Sequence, residues 1–494
     1  MTNNRGVVLA QEKTVFETLE VEKTLGWRVF RLQESEIARI ISSGNAREIV
    51  RLRNGKTVYV LKNLPQLSSE EALLLMEALE EFRKSAENRN SVPAETLEKY
   101  CGQNGLELET TQLSYLKKTL ELLSRPAGMI SELLQDEELE EIAVTGLGKA
   151  KPVRVFDKTF GWLPTNLYFS SEETFRNLVN AMAGTIGRRI TLQKPKLNAV
   201  LKDGSRINAC IEPASFSGPS LTIRKFRKAP FTPVELARLG TVSFEELAFL
   251  WLAIQSDCSM LVCGNTGSGK TTLLNSLFSF VPENERIISV EETPEISVPH
   301  EHYVKLNTAE EIGLGMQELI VNTLRMRPDR VIVGEVREAG EAKAFMDTLL
   351  AGQGKGCYAT FHAQSANEAL LRLRSLGLME ADLASIDLML VQKRWTDNSG
   401  GKTRERRKLL EICETSANPN GGVSAEKIFS YNFAKNEAEK AKRRPSIYGK
   451  ICGSFGFREK IIWKEVKERA AFLKEQEGKG MEEFFSAVQG YGKA

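Results

Sequence analysis

The stretch from residue 264 to residue 272 reads GNTGSGKTT and fits the pattern G-x-x-x-x-G-K-[ST]. The apolar run SMLVC precedes it and TTLLNSLFSF follows, so the sequence predicts a strand before the loop and a helix after it. Glycines let backbone N–H groups wrap an anion without a Cβ clash, and a helix N-terminus favours negative charge. The predicted phosphate-binding residues are Gly264, Asn265, Thr266, Gly267, Ser268, Gly269, Lys270, Thr271 and Thr272.

Two side chains of this loop have a defined chemistry. Lys270 can place its ammonium against the β- and γ-phosphates of a nucleoside triphosphate, and Thr271 can offer its hydroxyl to Mg²⁺. The pattern is specific for phosphate binding, but it does not tell which reaction follows.

Charged and imidazole side chains follow three further apolar runs. ISVEETPEI puts Glu291 and Glu292 just past one predicted strand, RVIVGE puts Glu335 at the end of another, and ATFHA puts His362 at the end of a third. Taken singly, each has an ordinary explanation as a solvated turn or a hydrogen-bonded histidine. Because open α/β sheets bind ligands at the carboxyl ends of their strands, all of them together predict a site beside the phosphate loop.

Glu335 comes one residue later than expected for a metal ligand. The run of residues 331–333 ends in Gly334, where many nucleotide-hydrolysing folds have an Asp that holds Mg²⁺. Two interpretations are open at this point: a metal strand that has lost its ligand, or a strand that uses its carboxylate differently.

The elements that position these residues change in type along the chain. KTVYVLKNL indicates a strand and LSSEEALLLMEALEEFRKSA a helix, with Ser68 and Glu71 spaced as a capping box. Short helices and strands then alternate, with a hairpin turn at Asp203 and Gly204. From residue 241, strand–helix alternation predicts an α/β domain with a mainly parallel sheet. The predicted regions are a mixed, helical region 1–125, an α+β domain 126–228, a stiff proline-containing linker 229–240, a core 241–415 and a strand–helix extension 416–494.

Composition sets limits on partners and compartment. The 494 residues are 41% hydrophobic and 27% charged, with a formal net charge of +2, so no overall field favours nucleic acid. Seven cysteines without a CxxC pair indicate neither a disulfide framework nor a zinc site. The N-terminus lacks the apolar segment of a signal peptide, and LAFLWLAI is far shorter than the ~20 residues of a spanning helix. These features predict a cytoplasmic protein.

The motifs GNTGSGKTT, SVEETPE, RMRPDRVIVGEVRE and TFHA occur in this order, with DGSRIN and LTIRKF upstream. In this combination the chain resembles the secretion ATPase superfamily, whose members power type II secretion, type IV pilus assembly and retraction, and type IV secretion. The tail, with RRKLLEI, EKIFSYNF and ERAAFL, most resembles the archaeal branch, which includes the archaellum motor. The resemblance extends from residue 130 to the end, and the first 125 residues are only loosely similar.

The resemblance implies a RecA-like P-loop core that binds ATP and Mg²⁺. It implies that Glu335 polarises the attacking water and that His362 senses the γ-phosphate. The acidic box of the family commonly reads Glu-Asp-Pro, whereas residues 291–294 read Glu-Glu-Thr-Pro. We therefore assign Glu291 to the catalytic water and Glu292, with Thr271, to the metal.

Two arginines lie upstream of the predicted linker. Arg206 follows the hairpin turn, and Arg224 belongs to the strand-like segment LTIRKF. One interpretation makes both exposed strand residues. The resemblance implies instead that they move onto the triphosphate when the N-terminal domain closes over the core.

The resulting hypothesis is a cytoplasmic, Mg²⁺-dependent ATPase motor. The resemblance implies a homo-oligomer, expected to be a hexamer, that associates peripherally with the inner face of the cell membrane through a membrane platform protein. One alternative is a nucleic-acid translocase with the same core, which the short basic stretches at 224–228 and 440–444 do not favour. Another is a nucleotide-gated scaffold with little turnover, against which the presence of Lys270, Thr271 and Glu335 argues.

Overall fold

A computed structural model describes most of the chain in two compact units, Met1–Phe226 and Arg227–Ala494. The predicted regions divide the chain more finely, and their limits stay predictions. The described residues are 27–29, 32–44, 46–62, 65, 67–86, 92–226, 230–309, 312–352, 354–397, 404–418 and 420–492.

The first unit begins with strands and a small group of helices. The antiparallel strands β2, β3 and β4 pair in that order, and the helices α1, α2 and α3 bury a shared set of leucines. The capping box is confirmed, because the Glu71 amide donates to Ser68 Oγ at 3.2 Å and the Ser68 amide to Glu71 Oε2 at 2.9 Å. The bounds are β1 (Trp27–Val29), β2 (Ile37–Ser43), β3 (Arg47–Leu52), β4 (Thr57–Leu61), α1 (Ser69–Ala86), α2 (Pro93–Gln103) and α3 (Thr110–Ser124).

A larger antiparallel sheet completes the first unit, with the strand order β7-β6-β5-β11-β10-β9. Its core is continuous with that of the preceding strands, because Ile49 and Tyr59 pack in the same cluster as Leu133 and Ile142. The bounds are α4 (Ser131–Gln135), β5 (Leu139–Val144), β6 (Arg154–Asp157), β7 (Gly161–Pro164), β8 (Leu167–Phe169), α5 (Glu172–Gly184), β9 (Lys196–Val200), β10 (Arg206–Cys210) and β11 (Ser220–Arg224).

The second unit is built on one mixed sheet with the order β14-β13-β15-β16-β12-β17-β18-β19-β20. Strands β12 to β17 pair in parallel, which confirms the predicted α/β architecture, and β17 to β20 pair antiparallel. The strands are β12 (Met260–Gly264), β13 (Ile287–Glu291), β14 (Tyr303–Asn307), β15 (Arg330–Val336), β16 (Gly356–Phe361), β17 (Leu388–Asp397), β18 (Arg404–Ala417), β19 (Val423–Asn432) and β20 (Glu437–Lys440).

Helices cover this sheet and fill its main core. The apolar run at 247–254 is an internal helix that is buried along its whole length, which explains its composition. The helices are α6 (Pro233–Arg238), α7 (Phe244–Gln255), α8 (Lys270–Leu277), α9 (Met316–Thr323), α10 (Ala339–Leu350), α11 (Ala366–Ser375), α12 (Glu380–Leu383), α13 (Tyr448–Phe455), α14 (Glu459–Glu475) and α15 (Met481–Gly490).

Part of the predicted linker is a packed helix. Helix α6 lies within 229–240, and its Val234 and Leu236 are buried in the main core of the second unit. Thr232 caps it, since the Glu235 amide donates to Thr232 Oγ1 at 3.1 Å. Pro233 is the first helical residue, a position that suits its fixed φ, so a proline that suggested stiffness in fact starts a helix.

Across the described ranges, we find no helix with the length and apolar character needed to cross a membrane.

Candidate active site

The loop between β12 and α8 has the conformation of a phosphate cradle. Gly267 and Gly269 adopt φ angles of +72° and +95°, which favour glycine. A Cβ on Gly264 would lie 2.2 Å from the Gln392 carbonyl oxygen, so this position also excludes a side chain. The first turn of α8 leaves amide groups without intrahelical acceptors, and these can receive an anion.

Lys270 sits at the centre of the cradle and is only 8% exposed. Its Nζ donates to the Gly264 carbonyl oxygen at 3.3 Å. Burial lowers the pKa of Lys270, and the Glu335 carboxylate partly offsets this effect. A buried ammonium that donates to a carbonyl oxygen at this long distance is suited to an incoming phosphate.

The sheet order brings the other predicted residues to the same edge. The parallel strands β13, β15, β16 and β12 are neighbours. Glu291 and Glu335 lie in the last residues of β13 and β15, and His362 and the phosphate loop lie at the carboxyl ends of β16 and β12. Sequence alone could not supply this order, because it comes from the crossover connections.

Glu335 lies in an irregularity of β15. The pairing of β15 with β16 shifts register between Val333 and Val336, and Thr360 Oγ1 donates to the Gly334 carbonyl oxygen at 2.6 Å. A bulge re-aims the side chain that it carries. The acid comes one residue late in the sequence because the strand is irregular here. This irregularity turns the Glu335 carboxylate toward His362.

Both carboxylate oxygens of Glu335 have a partner. Oε1 lies 2.7 Å from His362 Nε2, and Oε2 accepts from Arg337 Nε at 2.7 Å. Burial, and then the nearby Lys270 ammonium, lower the pKa of His362, so the neutral ring donates its Nε2–H to Glu335.

Glu291 is buried and organises the turn that follows it. Its Oε1 accepts the amides of Glu295 at 2.8 Å and Ile296 at 3.0 Å, while Oε2 has no hydrogen-bond partner among the described residues. Burial raises the pKa of Glu291 to about 7. A Cβ on Gly334 would lie 3.1 Å from Glu291 Cγ, so Gly334 makes room for this side chain.

Arg337 joins the two acidic segments, and no role was predicted for it from the sequence. Its guanidinium contacts Glu292 and Glu335, and its side chain is 56% exposed. The only available signal was its position two residues after Glu335, which on an extended strand puts both side chains on one face.

Asn265 differs from the other loop residues, because its side-chain amide is occupied. Its Nδ2 donates to the Arg394 carbonyl oxygen, and its Oδ1 accepts the Arg394 amide, both at 2.9 Å. The side chain of this predicted phosphate-binding residue thus ties the loop to β17, and only its backbone is left for a ligand.

Arg206 and Arg224 belong to the first unit, where they are directly opposite each other on β10 and β11. Residues that pair in this way share a face of the sheet. Arg224 is exposed, and its other neighbour across the sheet is Glu141. The two arginines therefore form one basic pair, which their separation of eighteen positions in the sequence does not reveal.

The residues present fit a nucleotide-bound Mg²⁺. Among the described residues, no group of three or more His, Cys, Asp or Glu side chains could hold a metal ion. Mg²⁺ at a triphosphate takes only one or two protein oxygens and completes its shell with phosphates and water. The Thr271 hydroxyl in the first turn of α8 and the Glu292 carboxylate match that donor set.

Comparisons with known proteins place the chain in a family. A family model described as Type II/IV secretion system protein matches residues 129–442. An uncharacterized protein of Methanocaldococcus jannaschii is 33% identical over 302 residues, which are 58% of this chain and 42% of that protein. The chain thus spans less than half the length of this curated relative.

Two further matches have names. The type IV secretion system protein VirB11 of Bartonella quintana is 30% identical over 50% of this chain and 78% of its own length. The solved VirB11 ATPase of the Brucella suis type IV secretion system, in complex with sulphate, is 25% identical with a TM-score of 0.29, over 60% of this chain and 96% of that one. With its RecA-like α/β core and phosphate loop, the chain belongs to the type II/IV secretion system protein family.

Proposed function

We propose that this chain is a Mg²⁺-dependent ATPase that works as a motor for a type IV pilus-like filament or for type II/IV secretion. The observation that carries the proposal is the position of Glu335 on a bulge of β15, 2.7 Å from His362 Nε2 and on the same sheet edge as the phosphate loop. A phosphate loop alone binds nucleotide, whereas a carboxylate aimed at its edge can also activate water.

In the proposed mechanism, the cradle holds the triphosphate and Lys270 neutralises its β- and γ-phosphates. Mg²⁺, held by Thr271 and Glu292, would supply positive charge to the phosphate oxygens. Glu335 accepts a proton from the attacking water once one of its two present partners releases an oxygen. His362, neutral and bonded to Glu335, reports the state of the γ-phosphate. Glu291 is assigned to the catalytic water, from which its Oε2 can accept a hydrogen bond, while its Oε1 holds the turn that follows.

The basic pair of the first unit supplies the proposed link between chemistry and motion. Arg206 and Arg224 would reach the triphosphate when the two units close, within one protomer or between neighbours. A guanidinium suits this role because it binds phosphate oxygens bidentately and stays charged.

The proposed setting is a homo-hexamer in the cytoplasm, docked at the inner face of the membrane through a platform protein. Support comes from the family of the chain and from the relatives named for type IV secretion. A nucleic-acid translocase and a scaffold with little turnover are the alternatives. ATP turnover measured with and without DNA or anionic lipid separates the three.

The direct test of the proposal is Lys270→Ala. Loss of the ammonium should reduce ATP turnover to background while the thermal unfolding transition stays that of the wild type. The exposed Lys343 on α10 offers a control, because Lys343→Ala removes a lysine that pairs with Asp347 on the same helix. Turnover near the wild-type value in Lys270→Ala would contradict the assignment of the phosphate loop.

A further inference from the structure

Strands β17 and β18 form an antiparallel ribbon that runs past the phosphate loop. β17 pairs with β12 through Gln392 opposite Gly264, and with β18 through Arg394 opposite Arg407. Trp395 is opposite Arg406, one position further along. Because side chains alternate along a strand, the pair of Arg394 and Arg407 lies on one face of the ribbon and the pair of Trp395 and Arg406 on the other.

The face with Arg394 and Arg407 contacts the loop at several points. Arg407 Nε donates to the Gly267 carbonyl oxygen at 3.0 Å. A Cβ on Gly267 would lie 2.4 Å from Arg394 Nη1, so this guanidinium lies directly against the loop. Together with the two hydrogen bonds between Asn265 and Arg394, these contacts attach the loop to the ribbon.

Glu405 holds the two guanidinium groups in place. Its Oε1 accepts from Arg394 Nε at 3.1 Å, and its Oε2 accepts from Arg407 Nη2 at 3.2 Å. One carboxylate neutralises one of the two charges, so this group of three side chains has a net positive charge beside the cradle. That charge favours the approach of a polyphosphate.

The buried side of the loop still has unused hydrogen-bonding capacity. Ser268 Oγ and Gln392 Oε1 are buried and have no hydrogen-bond partner among the described residues. A Cβ on Gly264 would lie 2.5 Å from Ser268 Oγ, and one on Gly269 would lie 3.2 Å from Gln392 Nε2, which places both polar side chains against the loop. Buried polar groups rarely stay unpaired, so a small shift of the loop on ligand binding can provide their partners.

We infer that the ribbon of β17 and β18 positions the phosphate loop. Through Arg407, the binding of a nucleotide in the loop also orders the ribbon. Arg407 binds the Gly267 carbonyl oxygen, which the negative charge of nearby phosphates would otherwise repel. When a triphosphate settles in the cradle, the loop tightens against Gln392 and Arg407, and the ribbon becomes ordered with it. This inference rests on the proposed binding of ATP, and Arg407 is a positioning residue.

The experiment compares Arg407→Gln with Arg406→Gln in the full chain. The two arginines are neighbours on β18 with almost equal side-chain exposure, 41% and 43%, but Arg406 pairs with Asp397 and lies on the other face. Adenylyl imidodiphosphate with Mg²⁺ is the probe, its affinity measured by calorimetry. We expect binding about tenfold weaker for Arg407→Gln, as for one lost charge-assisted hydrogen bond, and about unchanged for Arg406→Gln.

The second readout is amide hydrogen exchange of the described ribbon residues, with and without saturating probe. The probe should slow exchange in the wild type and in Arg406→Gln but not in Arg407→Gln, a difference that a merely structural role would not produce. Equal affinity and equal protection in both variants would overturn the inference while leaving ATP binding intact. A wild-type chain that does not bind the probe would overturn the proposed function, and this inference with it.

Discussion

Strand β15 has a charged cluster at each end, and the two clusters differ in burial. At its start, Arg330 is 1% exposed and donates to Glu285 Oε2 at 2.6 Å, to Asp257 Oδ1 at 2.8 Å and to the Tyr358 hydroxyl oxygen at 2.8 Å. At its end, Glu335 pairs with His362 and with the 56% exposed Arg337.

The difference separates a cluster that holds the fold from one that can do chemistry. Breaking a buried pair leaves a poorly compensated charge, so the buried Glu285 cannot leave Arg330 without a loss of stability. An exposed pair is screened by solvent and contributes little to stability, so Arg337 can move away from Glu335 at low cost. A carboxylate that must accept a proton needs partners of the second kind.

The largest expected effect is on catalysis at the exposed end. Glu335→Gln should keep ATP and Mg²⁺ binding but lower turnover by about 10²–10⁴, because an amide cannot take the proton of the attacking water. Single-turnover kinetics and binding titrations measure the two properties. Loss of Mg²⁺-dependent ATP binding in this variant would show instead that Glu335 is a metal ligand.

At the buried end we expect a loss of stability. Arg330→Met should lower the free energy of unfolding by about 3 kcal/mol, since it takes from the buried Glu285 carboxylate one of its two cations and leaves only Lys355. Arg337→Met, just past the end of β15, is the matched control and should change it by less than about 1 kcal/mol. Urea unfolding compares them, and similar losses in both would remove the distinction between the ends.

A third prediction tests whether hydrolysis at Glu335 also needs the two arginines of the first unit. Arg224→Ala should lower turnover of the full-length protein by about tenfold or more, and Arg206→Ala by less, because arginine fingers stabilise charge in the transition state. Arg154→Ala, an exposed arginine on β6 of the same sheet, is the control. If the second unit alone, Arg227–Ala494, binds ATP and hydrolyses it as fast as the whole chain, the coupling between units is excluded.

The smallest effect concerns a buried carboxylate away from both ends. Burial raises the pKa of Glu246 at the start of α7 to about 7, although it accepts the Ser243 amide at 2.7 Å. The folded state therefore holds a proton that the unfolded state releases, and stability falls as pH rises from about 4.5 to about 7.

Glu246→Gln keeps the capping hydrogen bonds but cannot titrate. Its free energy of unfolding should lose part of this pH dependence, about 1–2 kcal/mol across the window. Urea midpoints at several pH values check this. An unchanged slope would mean that burial alone does not set the protonation of such carboxylates in this protein.

Much of the fold followed from local patterns. Alternating strands and helices from residue 241, the capping box of Ser68 and a helix in the extension 416–494 were all predicted, because each depends on neighbours within a few positions. The helix α6 was not predicted, since Pro233 at a helix start and Pro233 in a stiff linker look alike in sequence. The burial of Val234 and Leu236 in the core of the second unit shows that this segment is a helix.

The sequence by itself determined the chemistry: a lysine and a threonine in a glycine-rich loop, three acids and a histidine after strands. Only the tertiary structure decided which of them meet, because strand order and bulges depend on contacts between distant segments. It placed Glu335 on a bulge beside His362 and Gly334 next to the Glu291 side chain. It also brought Arg407 into contact with Gly267, which lies 140 positions away in the chain. Residue types carry reactivity, whereas distances between side chains come from packing the whole sheet.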